Sequence, residues 1–123
     1  MHSYRIVSSA AAVLFTILCL ELLFTPDSIF DLLDIEGHAS TIILGRRAAM
    51  LFLGMATMAW SSRHAEHSPG RTAVTRGMVV ALLALAVLGT AEFISGNVGS
   101  GIFVAVAGEV AFVTGFVLAE RRS

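Results

Sequence analysis

Four apolar runs dominate this chain. They cover residues 6–24, 41–60, 77–95 and 99–119, and each is close to the ~20 residues that a helix rising about 1.5 Å per residue needs to cross a ~30 Å hydrocarbon core. Backbone polar groups in hydrocarbon must be paired inside their own segment, so such runs fold as helices. In a chain of 123 residues they leave room for little besides short connectors. The expected fold is a single all-α domain over residues 1–123, an antiparallel, up-down four-helix transmembrane bundle. Composition agrees: hydrophobic residues make up 56% and charged residues 14%, with mean hydropathy +0.83, whereas a soluble domain carries about 25% charged residues. The first run could instead be a secretory signal, because Arg5 precedes it. Phe24-Thr25-Pro26-Asp27 lacks the small-x-small pattern that signal peptidase reads, so the run is taken as a retained helix.

The arginines set the expected direction. Arg5 precedes the first run, Arg63, Arg71 and Arg76 lie between the second and third, and Arg121 and Arg122 follow the fourth. The other two connectors contain none. Lys and Arg are retained on the cytoplasmic side during insertion, so both termini are expected there, in the cell's inner (cytoplasmic) membrane. Tyr4 and Trp60 fall at the same ends, where amphipathic rings favour the headgroup level.

Each connector has its own character. Residues 25–40 interleave Asp27, Asp31, Asp34 and Glu36 with Ile29, Phe30, Leu32, Leu33 and Ile35. This reads either as a short amphipathic helix capped by Asp27 or Ser28 and ended by Gly37, or as a packed loop lid. Residues 61–75 are polar, with a turn at Pro69-Gly70, and read as a solvated cytoplasmic link. Gly96-Asn97 reads as a tight turn in which Gly or Asn takes positive φ.

Five ionisable residues lie inside the runs: Glu21, Arg46, Arg47, Glu92 and Glu109. A charge near the bilayer centre costs at least about 2.5–3.5 kcal/mol, so each needs a partner or a hydrated cavity. Counting ~1.5 Å per residue from the cytoplasmic ends puts four of them about 20–22 Å up and Glu109 about 15 Å up. Charges of both signs in one layer predict a cluster in which guanidinium forks bind carboxylates. Arg46 and Arg47 are adjacent, so they point about 100° apart on a helix. Arg47 is expected to face inward toward Glu109 and Glu92, and Arg46 to reach the outer interface or Glu21. Three carboxylates against two guanidinia leave one acid in excess, and Glu109 is the deepest.

Other features are plainer. Small residues at four-residue spacing, Gly101 and Ala105 in line with Glu109 and, in a second row, Ala107, Ala111 and Gly115 in the fourth run, and Gly45 with Ala49 in the second run, predict close helix contact. Met50, Met55, Met58 and Phe52 read as packing or as an adaptable pocket wall. Cys19 reads as a buried small hydrophobe, and a lone Cys excludes an internal disulfide. His64 and His67 have no third ligand, no span carries a haem-ligating His, and no phosphate loop or hydrolase motif is present, so no metal and no cofactor are expected. A formal charge of −1 offers no basic face, and nucleic acid is not an expected partner.

A first span, the acidic Thr25-Pro26-Asp27 connector, the run Gly45-Arg46-Arg47-Ala48-Ala49-Met50-Leu51-Phe52-Leu53-Gly54 opening the second span, and two further spans together resemble the small bacterial membrane proteins of the DoxX group. The resemblance covers most of the chain. It implies a four-helix bacterial membrane protein and brings no agreed activity with it.

The residues themselves point first to a binding module, a bundle whose ligand site comprises Arg47, Glu109, Glu92, Arg46 and Glu21 and takes a small amphiphilic or hydrophobic molecule. Two alternatives use the same residues. In one, the ion cluster fixes helix register in an accessory subunit of a larger membrane complex or a homo-oligomer. In the other, Glu109 or Glu92 is the catalytic acid of a membrane-embedded isomerase or cyclase, or the carboxylate of a proton-coupled exporter.

Overall fold

The computed structural model describes residues 2–121, which form five helices and no strand. These are α1 (His2–Phe24), α2 (Pro26–Leu33), α3 (Ala39–Ser61), α4 (Pro69–Ile94) and α5 (Ile102–Arg121). α1, α3, α4 and α5 are long and apolar enough to cross a membrane.

Local chemistry sets the boundaries. α1 stops at Phe24 because Thr25 precedes a proline, which disfavours helical backbone there; Thr25 sits at φ −133°, ψ 57°. Pro26 then takes the first position of α2, where its missing N–H costs nothing. The expected cap at Asp27 or Ser28 is corrected: Thr25 is the N-cap residue, and the Ser28 hydroxyl donates back to the Thr25 carbonyl at 2.7 Å. Gly37 does not end the helix either. Asp34 does, in the left-handed region at φ 55°, ψ 50°, with Ile35 N–H on the Phe30 carbonyl at 3.0 Å and Asp34 N–H on the Asp31 carbonyl at 3.2 Å. Both sequence readings of this connector meet in α2, a short amphipathic helix that also packs, with Phe30 buried.

α4 begins two turns earlier than its apolar run. The Ser68 hydroxyl accepts from Arg71 N–H at 3.2 Å, and Pro69 is the first helical residue. Ser68-Pro69 is thus a helix start, and the reading of residues 61–75 as a solvated link is corrected. At the other end of α4, Gly96 takes the expected positive φ (79°), and Asn97 N–H reaches the Glu92 carbonyl at 2.9 Å. α5 begins at Ile102 because residues 99–101 form a turn, with Ile102 N–H on the Gly99 carbonyl at 3.2 Å.

α1 packs along α3 and α4 along α5; α1 also meets α5, whereas α3 scarcely touches α4. Ala11 and Ala12 of α1 and Ala56 and Ala59 of α3 are buried, so the two backbones approach closely through methyl groups. The start of α1 meets the end of α3: Tyr4 Oη lies 3.0 Å from Ser62 Oγ, and the Ser8 hydroxyl donates to the Ala59 carbonyl. The expected small-residue contacts are realised in part. Ala49 is buried, and a Cβ on Gly115 would sit 3.3 Å from Val7. Gly108 faces open space, and Ala107 and Ala111 are exposed.

The main core, Tyr4, Phe15, Met78, Leu82 and Phe116 with Ala11, Ala12, Ala56, Ala59 and Ala119, sits toward the end where α1 and α4 begin. A smaller cluster, Cys19, Leu22 and Ala49, holds α1 to α3 beyond it. Cys19 is a buried thiol among apolar neighbours, as its surroundings in sequence suggested.

Candidate functional site

Between the α1–α3 pair and the α4–α5 pair lies a cavity of about 470 Å³. Its walls are almost wholly aliphatic and aromatic: Leu14 and Leu18 from α1, Leu85 and Leu88 from α4, and Phe52, which stacks on Phe15 with centroids 5.8 Å apart. Three polar side chains interrupt them. Glu21 arrives from α1, Glu92 from α4 and Glu109 from α5. The sequence spacing that put three carboxylates near one layer is therefore realised in one cavity.

The arginines are not. Arg46 and Arg47 are exposed on α3, neither lines the cavity, and among the described residues neither has an ion pair. The expectation of Arg47 facing inward to Glu109 and Glu92 is corrected, and of the two alternatives for Arg46, the outer interface or Glu21, the pair with Glu21 is not formed. The reason lies in which face of α3 is used. Ala49, Ala56 and Ala59 form its packed stripe against α1, and adjacent positions 46 and 47 both fall outside that stripe. The result is a cavity whose ionisable groups are all acids.

The acids differ in how they are satisfied. Glu92 accepts from Asn97 Nδ2 at 2.7 Å, in an exposed contact. Glu109 Oε2 is buried and has no hydrogen-bond partner among the described residues. A buried carboxyl oxygen without a donor costs on the order of 1–3 kcal/mol, more when ionised, and a hydrogen-bond donor or cation placed in the cavity offsets that cost.

α2 roofs the end of the cavity next to the α4–α5 turn, contributing Ile29, Leu32 and Leu33 to the lining. It is fastened to the α4–α5 turn by a backbone bond, Gly99 N–H to the Leu33 carbonyl at 2.9 Å. Here glycine is required by contact: a Cβ on Gly101 would lie 1.8 Å from the Leu32 carbonyl oxygen, and one on Gly99 would lie 2.8 Å from Asp34 Cβ.

A second polar cluster stands at the opposite end. Arg71, only 2% exposed, directs Nε at Glu120 Oε2 (3.4 Å) and Nη1 at the Ala65 carbonyl (3.2 Å), and its guanidinium carbon lies 4.2 Å from the centre of the Tyr4 ring. Glu120 also accepts from Thr75 (2.9 Å) and Thr72 (3.3 Å) and pairs with His67 Nε2 at 3.2 Å. Tyr4 is thus a core residue at 1% exposure, a correction to its reading as a headgroup anchor. Trp60 is half exposed, with the Arg63 guanidinium stacked 3.7 Å above its ring. His64 is exposed; desolvation first, then the Arg5 and Arg63 charges, hold its pKa below the ordinary histidine value.

Arg71 and Glu120 were invisible as a pair because Arg71 was placed in a loop. The signal that finds them is the Ser68-Pro69 helix start, which turns Arg71 into a first-turn residue of α4, level with the last turn of α5. Of the methionines, Met50 and Met58 are exposed and Met55 packs on the core, so Phe52 alone of that group reaches the cavity. No group of three or more metal-ligating side chains occurs among the described residues. No protein-family model, curated protein or solved structure matches this chain.

Proposed function

We propose that this chain is a four-span protein of a bacterial inner membrane, an antiparallel bundle with both termini cytoplasmic, and that its acid-lined cavity binds a small lipophilic molecule bearing a cationic or hydrogen-bond-donating head. Support for the membrane reading comes from the four long apolar helices and from large side chains exposed along them, among them Ile6, Leu51, Val87 and Ile94. An exposed apolar surface of that extent is stable against lipid tails and not against water. The Arg distribution between connectors supports the orientation. The resemblance to the DoxX group stays part of this proposal and adds no chemistry to it.

The observation that carries the ligand reading is the unpartnered Glu109 Oε2 in an apolar cavity that holds no basic side chain. Had the arginines faced inward, the acids would be neutralised within the protein and the cavity would suit an anion or a zwitterion. With three carboxyls and no guanidinium, the polar complement is a donor or a cation, and about 470 Å³ is within the usual range for small-molecule sites.

The test is retention of dodecylamine by the detergent-solubilised protein in native mass spectrometry, against dodecanoate of equal chain length. The amine is expected to be retained and the acid not. Glu109→Gln, which keeps shape, and Gly108→Leu, which fills the cavity from a position with open space around it, are each expected to release the amine. Equal retention of dodecanoate, or full retention of the amine by both variants, would refute the reading.

A further inference from the structure

Arg46 and Arg47 do not belong to the cavity, and their surroundings ask for a different ligand. They sit seven and eight residues into α3, which begins at Ala39, about 10–12 Å from that helix end at ~1.5 Å per residue. Around them the surface is lipid-like: Ile43, Leu44, Met50 and Leu51 are all exposed. Neither guanidinium has a carboxylate within ion-pair distance among the described residues, including those of the acidic α2 segment. Two permanent charges on an apolar face are costly unless they reach an anion.

The helix supplies the direction in which they reach. Cα–Cβ bonds tilt toward a helix N-terminus, so both stems lean toward the Ala39 end of α3. Long arginine stems can lie along apolar surface while the head moves toward the interface. At that interface the commonest anion is the phosphodiester of a glycerophospholipid, whose oxygens match the guanidinium fork. The positive end of α3 lies on the same side, with N-cap His38 making no side-chain capping bond. An acid of a second protein copy is less well served. The carboxyls at comparable depth, Glu21, Glu92 and Glu109, all line the internal cavity.

We infer that Arg46 and Arg47 form an outer-leaflet site for the phosphodiester headgroup of an anionic phospholipid, held on the lipid-facing side of α3. The inference rests on the membrane orientation proposed above and is independent of what the cavity binds. Arg47 lies in line with Ile43, Met50 and Gly54, so the acyl chains run down this stripe, where Gly54 leaves open surface. The two guanidinia spread about 100° apart around the helix and bracket one phosphate rather than chelate it from one side.

The experiment compares nanodiscs of phosphatidylcholine with nanodiscs containing phosphatidylglycerol, for wild type and for the double variant Arg46→Gln/Arg47→Gln. Lipids retained after release into detergent are measured by native mass spectrometry. Wild type is expected to retain phosphatidylglycerol roughly tenfold in preference to phosphatidylcholine, and the double variant to lose that preference. Both side chains are exposed, so the variant is expected to keep its helical circular dichroism in phosphatidylcholine, and Arg46→Lys/Arg47→Lys to recover part of the preference. Several outcomes overturn the assignment. One is absence of preference in wild type, or its persistence in the double variant. Another is displacement of the lipid by millimolar inorganic phosphate, which would mean a free-anion site. The last is a wild-type dimer that becomes monomeric in the double variant with no lipid preference in either, which would place a second copy's carboxylates on the arginines. Failure to insert into nanodiscs at all would instead strike at the membrane orientation, a result distinct from each of these.

Discussion

Where α4 begins, Arg71 and Glu120 are bound to each other and to Thr72, Thr75, His67 and the Ala65 carbonyl. Where α4 ends, Glu92 shares an apolar cavity with Glu21 and Glu109, and Glu109 Oε2 has no partner. The same bundle thus holds buried charge in two opposite ways. At the first end Arg71 and Glu120 are each answered by other parts of the chain, and with the Tyr4 ring against the guanidinium the cluster ties α1, α4 and α5 together. At the second, Glu92 is held by Asn97, and Glu109 Oε2 is answered by no donor among the described residues. Saturated polar networks fix structure, and unsaturated ones create affinity.

Substitutions separate the two ends by the size and sign of their effect. The largest loss is expected from Arg71→Met, which leaves Glu120 with only partial compensation: about 3 kcal/mol or more, read as a fall in the thermal midpoint in detergent. Adding Glu120→Gln to it is expected to restore at least half of that, because removing both charges is far less costly than stranding one. If the single variant unfolds at the wild-type temperature, the saturated end is not a structural tie.

Gly101→Ala comes next. A Cβ there meets the Leu32 carbonyl oxygen, so α2 must lift from the turn at about 1–3 kcal/mol. The signature is local: faster hydrogen exchange in residues 26–35 and in the Gly99 amide, with α1 and α3 unchanged. Glu109→Leu should move the other way and raise stability by about 1 kcal/mol, since it replaces an unsatisfied oxygen with apolar contact. A destabilising Glu109→Leu would mean that the acid end is structural too, and the contrast would vanish. The smallest effect is assigned to Thr72→Val, about 0.5–1 kcal/mol, because Glu120 keeps its other donors.

Much of this was legible in the chain. Hydropathy placed α1, α3 and α5 to within a few residues, because the length needed to cross a bilayer and the chemistry of its interior leave few alternatives. Gly96 announced its own conformation. The start of α4 was missed because its first two turns are polar and a hydropathy argument stops where apolarity stops; Ser68-Pro69 carried the information instead. Glu21, Glu92 and Glu109 could be grouped by depth, since rise per residue is fixed.

What depth could not give was azimuth. Whether Arg47 faces Glu109 or the protein's outer surface depends on which stripe of α3 meets α1, and that is decided by the fit of Ala11 and Ala12 against Ala56 and Ala59. The sequence by itself determined that this chain is helical, how many long apolar helices it has and how far along each of them the ionisable residues lie. Tertiary packing alone decided that Arg71 is buried on Glu120, that Arg46 and Arg47 face outward, and that three acids share a cavity. Helical rise is a property of one segment, whereas the side a helix turns inward belongs to the pair of surfaces that pack.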